Sequence, residues 1–265
     1  MANLRYITCC KFYKNEIVER FRPAQRIDNF FNKKDIENLR TYQFQKARRV
    51  KFQETSSNIQ SVCDMTQMFI DMPWLQYKFE ELFGRGEFAQ QHTGNYYITT
   101  QPHDAHIDLP TETEEKNRWY DNLIPYKSVI IPLFLTHYTR AWTAFYKQRK
   151  IGYSVTFDRD FMSQQQNSDY KIAREYKNLI DQFGNDCDPE IDYNNWTAKK
   201  YPHISKNNLR GFEEEIVLEH QVGSLMLFDA CQIHASVLWD EQPSDWMKNG
   251  INIQFYKHHD TTREF

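Results

Sequence analysis

Tyr126-Lys127-Ser128-Val129-Ile130-Ile131-Pro132-Leu133-Phe134-Leu135 is the strongest buried-strand signal in the chain, a β-branched and aliphatic run with few polar interruptions. Upstream, Asn95-Tyr96-Tyr97-Ile98-Thr99-Thr100 has the aromatic and β-branched content of a second strand. Downstream, Ala141 to Lys147 reads as a continuation or a partner. Strand patterns resume at Gly211 to Leu218, Ser224 to Phe228, Ile233 to Trp239 and Gly250 to Phe255. Ahead of these strands the period changes to that of helices. Asn32 is placed to cap a helix over Lys33 to Arg48, with Ile36, Leu39 and Phe44 among its apolar positions. A second helix starts at Asp71-Met72-Pro73, where proline suits the first turn, and closes at Gly84 with Leu75, Phe79, Leu82 and Phe83 on one face.

Helices first and many short strands afterwards, without βαβ alternation, predict a mainly β fold with flanking helices, arranged as a double-sheet jelly roll. We read one domain over residues 1–265, helical to about residue 90, with a jelly-roll core over about 94–256. Residues 152–210 interrupt the strand rhythm as an insertion, with a helix capped by Ser168 and ended by Gly184.

Composition narrows the class of protein. A formal net charge of -3 offers no basic face that would make nucleic acid the main partner. Cys9, Cys10, Cys63, Cys187 and Cys231 are an odd set without CxxC spacing, which suggests neither a disulfide framework nor a thiolate zinc site. A reducing compartment fits that usage. No apolar stretch approaches the roughly 18 residues of a membrane helix, and the start lacks an apolar signal core. The expectation is a cytoplasmic protein with a small-molecule substrate, no membrane and no implied partner protein.

Chemistry concentrates in Gln101-Pro102-His103-Asp104-Ala105-His106-Ile107-Asp108-Leu109-Pro110. His106 and Asp108 stand at i and i+2, so on an extended segment both point to one side and can grip one ion. A third ligand must come from elsewhere, and His234 is the best candidate. Two histidines and one carboxylate leave three coordination positions open, the arrangement associated with non-haem Fe(II) oxygenases. His103 is a rival first ligand, but Ala105 occupies its plus-two position. Asp104 could orient a ligand or be a plain loop acid. Asp229 reads as a turn residue, and His258 and His259 as a tail.

Together, His106-Ile107-Asp108, Gly223-Ser224-Leu225-Met226-Leu227-Phe228-Asp229 leading to His234, and Lys248-Asn249-Gly250-Ile251-Asn252-Ile253 resemble the Fe(II)/2-oxoglutarate-dependent oxygenases, most closely the phytanoyl-CoA hydroxylase-like branch. The resemblance covers roughly Asn95 to Tyr256 and implies a double-stranded β-helix, the cupin-like form of the jelly roll. It implies that His106, Asp108 and His234 hold Fe(II), and that 2-oxoglutarate and O2 are consumed with release of succinate and CO2. Lys248 stands for the basic residue that pairs with the far carboxylate of the cosubstrate, where arginine is usual. A lysine supplies a point charge in place of a bidentate fork. Asn252 and Tyr97 are further cosubstrate candidates, and Lys257 is a rival to Lys248. Halogenating relatives lack the carboxylate that Asp108 supplies, so its presence favours hydroxylation.

Substrate contacts are harder to read. Arg140, Trp142 and Tyr146 lie on or near a candidate core strand, and an arginine there could clamp an anionic substrate group or make a surface salt bridge. The polar run from Thr111 to Asn122 and the 152–210 insertion could act as lids. A small-molecule or amino-acid-like substrate is the leading expectation. An oxygenase acting on a peptide side chain and a non-catalytic jelly-roll binding protein are the alternatives.

Overall fold

The computed structural model describes residues 23–46, 52–55, 58–88, 92–99, 123–136, 140–148, 212–230, 232, 234–237 and 247–258, together with Pro102, Ala105 and His203. His106, Asp108, the 111–122 run and, apart from His203, the 152–210 insertion lie outside the described residues.

Ten strands and three helices are described. The first strand, β1 (Gln25–Ile27), leads into helix α1 (Lys33–Lys46). The Asn32 side chain accepts the Asp35 N–H at 2.9 Å while Asp35 accepts the Asn32 N–H at 3.0 Å, a reciprocal cap of the kind expected at a helix start. Ile36, Leu39 and Tyr42 form the buried stripe of α1. Phe44, expected among the apolar positions, is 75% exposed. It stands five residues after Leu39, about 140° around the helix, and so leaves the stripe.

A hairpin of β2 (Phe52–Thr55) and β3 (Asn58–Asp64) follows, then α2 (Met65–Asp71) and α3 (Pro73–Phe83). Pro73 opens α3 and Gly84, at φ 95°, closes it, as the sequence predicts. The remaining strands are β4 (His92–Thr99), β5 (Leu123–Leu135), β6 (Trp142–Gln148), β7 (Phe212–Glu219), β8 (Leu225–Asp229), β9 (His234–Ser236) and β10 (Lys248–His258).

These strands make two antiparallel sheets, one ordered β1-β8-β5-β10-β4-β3-β2 and one ordered β7-β6-β9. In the larger sheet β10 pairs with β4 along one edge and β5 along the other. Pro132 lies within β5, where its missing N–H would break a central ladder. The β5–β8 pairing spans only Lys127 to Ile130, and the β5–β10 register shifts between Asn249 and Gly250, opposite Pro132. The proline thus sits where β8 no longer pairs and beside an irregularity.

The two faces of β10 do different work because successive side chains alternate. Ile251, Ile253 and Phe255 join Val129, Ile131 and Leu133 in packing against α1, α2 and α3. Phe255 touches Phe79 at 4.8 Å, Phe83 at 4.9 Å and Phe88 at 5.2 Å between ring centroids. Gly94 permits close approach of α2, since a side chain there would strike Met65. The opposite face turns towards the smaller sheet. There Ile130, Met226 and Phe228 pack with Phe145, and Tyr97, Ile216 and Leu218 lie against them.

Replacing Phe255 by Ala is expected to lower the unfolding free energy by about 3–5 kcal/mol, because a fully buried ring held by three others leaves a cavity that cannot collapse. Urea unfolding monitored by far-UV circular dichroism measures it. A loss below about 1 kcal/mol would contradict this packing.

Candidate active site between the sheets

The space between the sheets is lined by every second residue of the strands that face it. On the larger sheet Lys248 pairs with Thr99 and Leu135, Gly250 with Tyr97 and Pro132, and Asn252 with Asn95 and Ile130. Cross-strand neighbours share a face, so Lys248, Tyr97 and Asn252 stand on one surface. These are the three residues suggested for the cosubstrate, and β4 and β10 bring them together.

Gly250 makes their arrangement possible. A methyl at this position would lie 2.5 Å from the Tyr97 hydroxyl and 2.8 Å from the Ile131 carbonyl. Because glycine leaves that space empty, the Tyr97 ring leans across the strand and comes under the Lys248 ammonium, with Nζ 5.4 Å from the ring centroid. Lys248 is buried, with 5% exposure, and among the described residues its ammonium has no ion pair or hydrogen bond. Burial lowers its pKa from 10.5 to about 7.

On the smaller sheet, Thr143, Phe145, Ile216, Leu218 and His234 share the inner face through the β6–β7 and β6–β9 registers. His234 is 4% exposed and packs against two touching rings, 4.9 Å from Phe228 and 5.8 Å from Phe145. Its Nδ1 is 3.0 Å from the carbonyl oxygen of Gln232. A carbonyl can only accept, so Nδ1 carries the hydrogen and Nε2 the lone pair. Metal-binding histidines are commonly oriented by this device. The donor chemistry of His234 therefore fits a metal ligand. Its two expected companions, His106 and Asp108, lie outside the described residues, and among the described residues no group of three His, Cys, Asp or Glu side chains is placed to hold an ion.

Arg140, Trp142 and Tyr146 are placed differently. Arg140 is exposed and its Nε lies 3.6 Å from Glu219. Trp142 and Tyr146 alternate with Thr143 and Phe145 along β6, and so belong to the strand face opposite His234. Asp229 ends β8, and its carbonyl accepts the Gln232 N–H at 2.9 Å in the turn that leads to His234.

Sequence reasoning missed His220 and Thr143. Both are 3% exposed, and His220 Nε2 lies 2.8 Å from Thr143 Oγ1. Burial, and after it the charge of Lys248, hold the His220 pKa well below the ordinary value of 6.5, so this imidazole is neutral. The period of two in Ile216, Leu218 and His220 was the available signal, although it runs one residue past the end of β7.

No family model and no curated protein matches the chain. Solved structures do resemble it at a distance. A prolyl-4-hydroxylase from Pseudomonas putida is 8% identical with a TM-score of 0.43, over 92% of this chain and 97% of that one. The α-ketoglutarate-dependent carbocyclase SnoK of nogalamycin biosynthesis is 10% identical with a TM-score of 0.45, over 95% and 87%. An oxidoreductase of the 2OG-Fe(II) oxygenase family from Burkholderia pseudomallei is 10% identical with a TM-score of 0.43, over 96% and 94%. Among the described residues no helix is long and apolar enough to cross a membrane.

Lys248 also sets a pH dependence of stability. Its folded pKa, about 7, lies below the unfolded value of 10.5, so between these limits the unfolded chain holds more protons. Stability should rise with pH across that window by up to about 1.4 kcal/mol per pH unit. Below about pH 7 both states are protonated, and the cost of the buried cation is felt in full. Lys248→Met is expected to be more stable at pH 7 and to lose this slope. Chemical denaturation of both proteins from pH 6.5 to 9.5 measures the difference; equal slopes would contradict the burial argument.

Proposed function

We propose that the chain is an Fe(II)- and 2-oxoglutarate-dependent dioxygenase on a double-stranded β-helix, hydroxylating a C–H bond of a small-molecule or amino-acid-like substrate. The observation that carries this reading is a buried lysine without an acid partner among the described residues, on the inner face of β10, in a space that also holds His234 with Nδ1 bonded to a carbonyl.

In this reading His234, with His106 and Asp108, would hold Fe(II). Iron bound there, with 2-oxoglutarate and O2, would supply the oxidative chemistry. The protein's own groups bind and orient. Lys248 would take the far carboxylate, and with that negative charge beside it the neutral amine takes up a proton. Tyr97 lies under the Lys248 amine, and Asn252 offers an amide four residues along the same face. Phe145 and Phe228 pack against the His234 ring.

Adding 2-oxoglutarate to the anaerobic Fe(II)-loaded protein should produce a weak visible charge-transfer band, absent in His234→Ala. Iron bound without such a band would point to other metal chemistry. Failure to bind iron would favour a binding protein.

Proton balance gives a second check. At pH 8 Lys248 is mostly neutral in the empty site, since its pKa is about 7. Binding of 2-oxoglutarate should therefore take up close to one proton, and affinity should fall about tenfold per pH unit above that pKa. Calorimetry in buffers of different ionisation enthalpy reads the uptake, which Lys248→Met should abolish.

A further inference from the structure

We infer that Gln232 and Glu215 are positioning residues for His234, and that the hydrogen bond between their side chains fixes the imidazole that would carry iron. This rests on the iron reading above and adds to it two residues that act through the peptide next to the ligand.

Gln232 lies in the connection from β8, in the larger sheet, to β9, in the smaller one. It is fully buried and tied to both sheets. Its N–H donates to the carbonyl of Asp229, at the end of β8, at 2.9 Å. Its side-chain Nε2 donates to Glu215 Oε2, on β7, at 2.8 Å, and to the Tyr146 carbonyl, on β6, at 3.4 Å. Between these tethers stands the Gln232 carbonyl, 3.0 Å from His234 Nδ1. The oxygen that decides which ring nitrogen carries hydrogen is thus held from two sides.

The path of β7 supplies the second tether. Phe145 pairs with Ile216 and Tyr146 with Glu214, so Glu215 is the extra residue of a β-bulge. A bulge re-aims a side chain out of the regular alternation of its strand. Here it lets the carboxylate meet an amide seventeen residues further along the chain. The orientation of that amide follows from its neighbours. A carboxylate and a carbonyl both accept, so the nitrogen faces them. Gln232 Oε1 is buried with no partner among the described residues, and the amide is held through its nitrogen. Groups that orient a metal-binding histidine in this way typically change metal affinity by about 10–100-fold when removed.

The test reads the ring and the metal separately. Imidazole nitrogen NMR of the metal-free protein, with His234→Ala locating the signals, reads which nitrogen of the neutral ring carries the hydrogen. Anaerobic competition with a chromophoric chelator reads Fe(II) affinity, and the thermal midpoint is recorded for every variant. In the wild type the hydrogen should sit on Nδ1. Gln232→Met, which keeps the length of the side chain and removes its donor, should move part of the population to the other tautomer and weaken Fe(II) binding about tenfold. Glu215→Met should do the same. Glu215→Gln, whose side-chain carbonyl still accepts from Gln232, should keep both readouts near the wild type.

A lower thermal midpoint with unchanged tautomer and Fe(II) affinity in both methionine variants would make the pair a structural tie and overturn the inference. Glu215→Gln as damaging as Glu215→Met would overturn it too, since the hydrogen bond would not be what matters. If Gln232→Met does not fold, the two variants of the half-buried Glu215 decide by the same readouts. A wild type that binds no Fe(II) would sink the iron reading and the inference resting on it; a wild type that binds iron while the variants match it in both readouts would sink the inference alone.

Discussion

The ladder that β10 makes with β4 and β5 is the constraint on which the rest depends, since this strand is hydrogen-bonded along both edges and covered on both faces. One face is given to cohesion. Ile251, Ile253 and Phe255 tie the sheet to the helices through an aromatic cluster. The other face carries Lys248, Gly250 and Asn252 towards the second sheet. A slip of one residue would exchange the faces, putting the ammonium into the helix interface and Phe255 into the site. Binding chemistry and core packing are therefore fixed by one register.

That register explains why so much of the fold was legible from pattern alone. The β-branched run from Val129 to Leu133, the capping pair Asn32 and Asp35, and Pro73 with Gly84 at the ends of α3 each report a local preference that agrees with the tertiary structure. The hairpin of β2 and β3 and the short helix α2 carried weaker signals and were not anticipated. Phe44 was misplaced because apolar character was read without its angle around the helix. Lys248, Tyr97 and Asn252 were named through the family resemblance, and strand pairing places them on one face. His220 was not, because what it meets is Thr143, far away in sequence and next to it only through the β6–β7 pairing. The meeting of Tyr97 and Lys248 is likewise visible only once Gly250 is seen opposite the tyrosine.

Lys248 and His220 illustrate how burial prepares a polar site. Taking an ammonium out of water disfavours its charge, and among the described residues no acid partner offsets that cost.

The position of β10 in the chain has a consequence for how the protein comes into being. It lies in the middle of the larger sheet, yet it is the last of the described strands to be synthesised, following β4 by about 150 residues. At a translation speed of about 5–20 residues per second, the edges of β4 and β5 that β10 will occupy wait many seconds for their partner. During that interval the nascent chain presents two unsatisfied strand edges in place of a continuous sheet. Closure must then occur by insertion of a strand between two others, a non-local event of the kind that makes folding slow. The strand that ties the two faces of the larger sheet together in the finished molecule is thus the last of the described strands to arrive.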